Sequence, residues 1–290
     1  MELISNYMLD EKSRHMLNEL TQKTFGFDFE GWVTQGYFEG DYIPYSFVHE
    51  GKIVSNVSAN RMQFLENGVR RDYIQLGTVM TDENFRKQGL AAKLIRHVLE
   101  EYEGKCDGIY LFGNLEALGF YRKQGFQTLN EYRYFVKEAY CTEKSGTGFK
   151  PVTELGEAYI GRYKETVRKC ACQSAFEQVN KYGLQMFYTC WFDNVFYAPD
   201  IDCFVVLDQE DGTVLQSVIC EKKIPLAEIL KRLPLADGRC RLGFTPCKED
   251  RDLCVAELYD GADDYRLFYK GEKLEAVERK RLYFPELSHA

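Results

Sequence analysis

The sequence predicts a two-part α/β (α+β) protein: a mixed, mostly antiparallel central sheet flanked by helices over residues 1–140, and a second, smaller α+β unit over residues 151–290. Three observations predict it. A chain of 290 residues exceeds the usual size of one hydrophobic core. Strand-like and helix-like patterns interleave in the order β-β-β-α-β-α-β before residue 140. After a stretch of linker composition at 140–151, containing Lys144-Ser-Gly-Thr-Gly148, part of that pattern returns.

Taken in order, residues 8–20 carry apolar side chains at Met8, Leu9, Met16, Leu17 and Leu20, the spacing of a short amphipathic helix. Residues 25–38 set Phe25, Phe27, Phe29, Trp32, Tyr37 and Phe38 among glycines and acids, which predicts a loop or a broken helix. Residues 42–49 and 52–59 read as strands around Glu50-Gly51, and 61–64 leads to a second turn at Glu66-Asn67-Gly68. A third long strand is expected over 72–80. A helix follows, with apolar positions Leu90, Ala91, Leu94, Ile95, Val98 and Leu99 on one face. A short strand at 108–112, a short helix at 115–123 and a hairpin at 126–136 complete the first unit. In the second, 203–207, the turn Asp211-Gly212 and 214–220 form strand-turn-strand, 225–233 a helix, and short strands fill 240–284.

Composition narrows the class. At 45% hydrophobic and 28% charged, with 20 Tyr and 20 Phe, the chain is that of a folded globular protein. No apolar run reaches the roughly 18 residues that span a bilayer, and the first residues lack a basic region followed by an apolar one, so a cytoplasmic protein without membrane partner is expected. The ten cysteines have no C-x-x-C pair and do not cluster with the four histidines, which predicts reduced thiols and no metal. A net charge of −8 argues against nucleic acid and suits a cationic partner.

The chemistry is concentrated between Val79 and Tyr121. Arg86-Lys-Gln-Gly89-Leu-Ala91 fits Arg/Gln-x-x-Gly-x-Gly/Ala, in which small residues let successive N–H groups and a helix N-terminus wrap a pyrophosphate. It follows an apolar strand and opens an amphipathic helix. A second pattern, Asn114-Leu-Glu-Ala117-Leu-Gly-Phe120-Tyr121-Arg-Lys-Gln-Gly125-Phe126, comes after it. In order and spacing, residues 74–126 resemble the GNAT N-acetyltransferase superfamily, and the echo after residue 151 resembles a degenerate second GNAT-like unit that lacks the phosphate loop.

The resemblance implies an acetyl-CoA-dependent N-acetyltransferase acting on a primary amine of a small molecule or peptide in a ternary complex. It places Val79, Met80 and Thr81 on the strand that pairs with the pantetheine arm. Arg86, Lys87, Gln88, Gly89, Leu90 and Ala91 fall around the pyrophosphate, Asn114 near the thiol end, and Tyr121 as the acid that protonates the leaving thiolate. The family's strand glutamate falls at Gln75, which cannot take a proton. The base is therefore open among Glu30, Glu39, Asp41 and, by similarity to the larger two-unit members that acetylate aminoglycosides, the carboxylate of Ala290. Phe27, Glu30, Trp32 and Gln75 are expected at the acceptor, with aromatic faces for a cation, although core packing accounts equally for the aromatic segment. A non-catalytic acyl-CoA sensor or interaction module is the alternative. The acyl chain length stays open, and a homodimer is the default assembly.

Overall fold

The computed structural model describes residues 1–141, 148–235, 238–262 and 264–290. Most of the expected linker, 142–147, lies outside the described residues. The first half runs β1 (Glu2–Ser5), α1 (Glu11–Phe25), α2 (Glu30–Thr34), β2 (Tyr42–His49), β3 (Lys52–Glu66), β4 (Val69–Thr81), α3 (Leu90–Tyr102), β5 (Gly108–Gly113), α4 (Leu118–Lys123), β6 (Gln127–Leu129) and β7 (Glu131–Val136).

Helix α1 starts where Asp10 accepts from the Ser13 amide at 2.9 Å and stops at Gly26, φ 79°, a left-handed cap that glycine adopts without a Cβ penalty. The aromatic segment is a broken helix, as its composition predicts. β3 is one unbroken strand where two short ones are expected, and Asn67-Gly68, both at positive φ, turns it into β4. α3 buries Leu90, Leu94, Ile95, Val98 and Tyr102 against the sheet, the face that its three-and-four spacing marks out.

The second half runs β8 (Lys150–Pro151), α5 (Val152–Leu155), α6 (Glu157–Lys169), β9 (Phe176–Gln178), α7 (Tyr182–Tyr188), β10 (Val195–Ala198), β11 (Cys203–Asp208), β12 (Thr213–Ile219), α8 (Leu226–Leu230), β13 (Cys240–Leu242), β14 (Cys254–Tyr259) and β15 (Arg266–Lys270). It repeats the plan of the first. β4 and β5 are parallel across α3, and β12 and β13 are parallel across α8.

The strands of the two halves are exchanged. One sheet has the order β1-β2-β3-β4-β5-β15-β6, the other β14-β7-β13-β12-β11-β10-β8. The hairpin expected at 126–136 is therefore divided: β6 stays in the first sheet, while β7 pairs with β13 and β14 in the second. β15 takes the corresponding place between β5 and β6. Packing follows the exchange. One core joins Leu17, Trp32 and Tyr42 to Tyr163, Met186 and Val206, and another joins Phe64, Tyr73 and Tyr110 to Phe176, Leu267 and Phe284. Cys106, Cys170, Cys172, Cys190, Cys203, Cys220, Cys240, Cys247 and Cys254 are free thiols.

Candidate active site

The site begins where two paired strands part. β4 and β5 are in register only at Tyr73↔Gly108, Ile74↔Ile109 and Gln75↔Tyr110. Beyond these, β4 continues to Thr81 and β5 to Gly113 with no pairing between them, which opens a wedge lined by backbone groups. Such an edge offers main-chain pairing to an extended ligand.

A bulge shapes one wall. Asn56 faces Met80 and Ser58 faces Gly77, so Thr78 and Val79 together oppose Val57. Thr78 sits at φ 40°, a costly conformation for a β-branched residue. Three polar partners hold its hydroxyl: Tyr42 at 2.7 Å, Ser58 at 3.0 Å and Asn56 Nδ2 at 3.1 Å. The bulge takes one residue out of the ladder, and the Thr78 carbonyl accepts instead from Asn56 Nδ2 of β3 at 3.0 Å.

At the end of β4 the chain enters residues 86–89, exposed throughout, with Lys87 at φ 63° and Gly89 at φ 75°. Gly89 is the N-cap of α3, and no side chain caps that helix, so the first amides of a 13-residue helix face outward beside two left-handed residues. Unpaired helix N–H groups in this setting attract an anion. Leu90 is buried, Ala91 half-buried, and Gln88 exposed. Arg86 Nε donates to the Thr81 carbonyl at 3.2 Å and ties the loop to the strand. Val79 lines the wedge, whereas the Met80 side chain turns away into the core against α1.

The wedge leads into a cavity of about 510 Å³. Val79, Gly77 and Thr78 come from β4, and Phe112 and Gly113 from β5. Asn114 and Tyr121 stand at its edge; the Asn114 carboxamide oxygen accepts from the Ala117 amide at 3.0 Å. Tyr121 is buried, its ring 5.0 Å from that of Phe268, and a Cβ on Gly113 would lie 2.7 Å from its ring carbon Cε2. Burial pushes the Tyr121 hydroxyl up to about 12, so it is a proton donor at neutral pH.

The far wall is aromatic. Phe27, Phe29 and Trp32 enter it from the segment around α2, and Phe187 and Tyr188 from α7. The Trp32 ring is fixed by its Nε1–H, which donates to the Gly183 carbonyl at 2.7 Å. Glu30, expected at the acceptor, is turned away. Its carboxylate takes two bonds from Arg14, at 2.8 and 2.9 Å, and one from Asn18. A bidentate pair of this kind holds the acid against α1 and below its ordinary pKa. Glu39 pairs with Arg168, and Asp41 accepts from Asn180, so neither reaches the cavity.

The chain's last residues close the site. The His289 ring stacks on Phe112 at 3.8 Å and 22°, and its carbonyl accepts from the Tyr188 hydroxyl. Burial and the nearby Arg133 lower the His289 imidazole to about 3, so it is neutral. Ala290 lies against Gly77, where a Cβ would fall 2.7 Å from its carbonyl carbon. Gln75 is buried behind the cavity, receives the Tyr110 hydroxyl at 3.3 Å and donates to the Ala290 oxygen at 3.4 Å. It holds the terminus; it does not line the acceptor space.

The structure brings Val79, Asn114, Tyr121, Phe27, Trp32 and Ala290, all expected at the site, to one cavity. Sequence reasoning missed Tyr42, Phe112, Phe187, Tyr188 and His289. The run Tyr182-Gly-Leu-Gln-Met-Phe-Tyr188 carries the aromatic signal, but nothing in it says that α7 packs across to α2.

Comparison with known proteins agrees with this architecture. The family model described as Acetyltransferase (GNAT) family matches residues 7–126. A search of curated proteins finds no matching sequence. Among solved structures, the GCN5-related N-acetyltransferase from Kribbella flavida superposes with TM-score 0.56 at 16% identity, over 95% of this chain and 73% of that one. A protein of unknown function from Enterococcus faecalis V583 gives 0.56 at 13% identity, over 94% and 74%. Eis1 from Mycobacterium abscessus gives 0.54 at 12%, over 92% and 73%. At these identities the likeness is one of fold, and it extends over both halves. Residues 7–126 thus match the GNAT acetyltransferase family, and the second half repeats the same plan, with a strand pair parallel across a helix.

Proposed function

We propose that the protein transfers the acetyl group of acetyl-CoA directly to a primary amine of a small molecule held in the same complex. The observation that carries the reading is the opening of β4 from β5 beyond Gln75 into a cavity where Tyr121 and Ala290 both stand. The wedge fits the pantetheine arm, because its walls are unpaired backbone with glycine at Gly77 and Gly113. The loop at 86–91 fits the pyrophosphate, because the first amides of α3 are uncapped.

Acetyl-CoA supplies an activated thioester. The residues of the chain do the rest. In this reading a main-chain N–H at the Thr78–Val79 bulge would donate to the thioester oxygen as negative charge grows there. The amine nitrogen bonds to the carbonyl carbon as the carbon–sulfur bond breaks, and Tyr121 gives its proton to the departing sulfur. A phenol raised to about 12 is well suited to that role and unsuited to being the base.

An alkyl amine of lysine-like pKa is unprotonated in roughly one molecule in a few thousand at pH 7, so its proton needs an acceptor. The Ala290 carboxylate is that acceptor in this reading, oriented by Gln75. Gln75 stands where the family's glutamate falls, and here it positions a carboxylate from the other end of the chain.

The test is thiol release from acetyl-CoA with a panel of amines and a peptide N-terminus. Saturable, amine-dependent release supports the reading. Binding of acetyl-CoA with no release for any acceptor gives the site to a non-catalytic sensor. Full turnover after several residues are appended to Ala290 removes the terminal carboxylate from the mechanism.

A further inference from the structure

We infer that the acceptor is a primary amine with one positive charge on an apolar aryl or alkyl body, and that amines with further ammonium groups are selected against. The inference names the substrate class of the acetyl-transfer site and rests on that reading.

Among the described residues that line the cavity there is no Asp, Glu, Lys or Arg. Its walls away from the wedge are the faces and edges of Phe25, Phe27, Phe29, Trp32, Phe187 and Tyr188. The acids that the sequence supplies nearby are spent on other partners: Glu30 on Arg14, Glu39 on Arg168 and Asp41 on Asn180. The histidine at the wall, His289, is uncharged, and its buried Nε2 has no hydrogen-bond partner. Two hydroxyls of the lining, Tyr42 and Thr78, are bonded to each other.

Such a wall treats the parts of an amine differently. An aryl or alkyl body gains from leaving water in proportion to its apolar area. One ammonium close to the thioester can rest on an aromatic face, meets the carboxylate proposed at Ala290, and loses its proton before it attacks. A second ammonium deeper in the cavity has no carboxylate to meet and must shed its water uncompensated. The volume of about 510 Å³ is in the ordinary range for a small-molecule site and must also admit the acetylated end of the pantetheine arm.

The test uses the full-length protein with acetyl-CoA and a matched pair, hexylamine and 1,6-diaminohexane, beside 2-phenylethylamine and spermidine. The pair has the same length and differs in the far ammonium. We expect kcat/KM for hexylamine to exceed that for the diamine at least tenfold, a difference of about 1.4 kcal/mol, with 2-phenylethylamine equal or better and spermidine poorest. A diamine or spermidine as good as hexylamine overturns the inference while leaving acetyl transfer in place. So does release with a peptide N-terminus alone. No release with any acceptor overturns both. Phe25→Asp supplies an independent reading, since Phe25 is half-exposed at the rim and its replacement is tolerable to the core. Introducing a carboxylate there should narrow the ratio between hexylamine and the diamine, and an unchanged ratio counts against the inference.

Discussion

Gly77→Ala tests the placement of the chain terminus by filling the space it occupies. A Cβ at this position would lie 2.7 Å from the Ala290 carbonyl carbon and 2.9 Å from Asn60 Nδ2, both inside the distance that real Cβ atoms keep. One neighbour must move. Asn60 is pinned within the sheet, donating to the Gln75 carbonyl at 3.0 Å and to Ser58 at 3.1 Å. Ala290 is held by a single long bond from Gln75, at 3.4 Å, and through the contacts of His289 with Phe112 and Tyr188. The terminus should therefore give way.

Overpacking a rigid core costs about 1–3 kcal/mol. A terminus that swings out forfeits about one hydrogen bond, about 1 kcal/mol, so the melting temperature should fall by only about 2–4 °C. On the role proposed for Ala290, activity should fall much further, because losing a positioned base removes about 10²- to 10⁴-fold in rate. The assay is kcat by thiol release, beside coenzyme A affinity by titration and the melting temperature. We expect a large loss in kcat, near-native coenzyme A affinity and little added loss when residues are also appended to Ala290, since both changes remove the same group. An unchanged kcat in Gly77→Ala refutes the role given to Ala290.

Tyr121→Phe should lower kcat by about 10²- to 10⁴-fold with acetyl-CoA binding intact, and the native pH–rate profile should show no loss of acid form until pH approaches 12. Burial pushes the Glu131 carboxyl up to about 8, against the lowering effects of Arg133 and the Phe284 amide. The folded state thus keeps a proton that the unfolded chain releases, and stability from this group is full below about pH 4.5 and declines as pH rises through 8. Glu131→Gln should flatten that decline in melting temperature, and an identical pH dependence would contradict it. Lys181 and Glu177 form a buried ion pair, so Lys181→Met, which strands the carboxylate, should destabilise by about 3–5 kcal/mol in denaturant titration. Glu286→Gln weakens the anchor that Arg241, Tyr283 and Gln216 give the tail, and should lower kcat without changing coenzyme A affinity.

The strand–loop–helix–strand part of the candidate site was legible because it is local. Residues 74–126 form a strand, a glycine-capped loop, a helix and a second strand in unbroken order, and each carries its own signal: Gly89 at positive φ, and the apolar face of α3. The acceptor side was not legible because it is assembled from distant segments. Phe187 and Tyr188 lie more than 100 positions from Trp32, and the tail that brings His289 and Ala290 lies farther still. Strand exchange is invisible for a related reason. Alternation fixes which face of a strand is buried, not which sheet it joins, and β7, with Tyr134 and Val136 inward, satisfies either. Glu30 was misplaced because nothing in the spacing between Arg14 and Glu30 reveals that α1 presents its guanidinium to α2.

The repeated topology shows how the two halves differ: one wedge opens into a cavity and the other is filled. In the second half β12 and β13 pair at Thr213↔Cys240, Val214↔Arg241 and Leu215↔Leu242, and β12 then runs on unpaired with β13 to Ile219, as β4 does beyond Gln75. The corresponding wedge is filled. Glu286 donates its amide to the Gly243 carbonyl and meets Gln216, while a Cβ on Gly243 would lie 3.0 Å from the Glu286 carboxylate. What remains there is a void of about 20 Å³, room for a water and no ligand. The segment that plugs this wedge is continuous with residues 289–290, which reach the open wedge of the first half. The second half therefore contributes to the site by what fills its own lost cleft: the plug at Pro285–Ser288 fixes the direction from which the terminus enters beside Gly77. Together with β15 between β5 and β6, this makes the cavity of the first half incomplete without the second, although residues 7–126 alone match the family model.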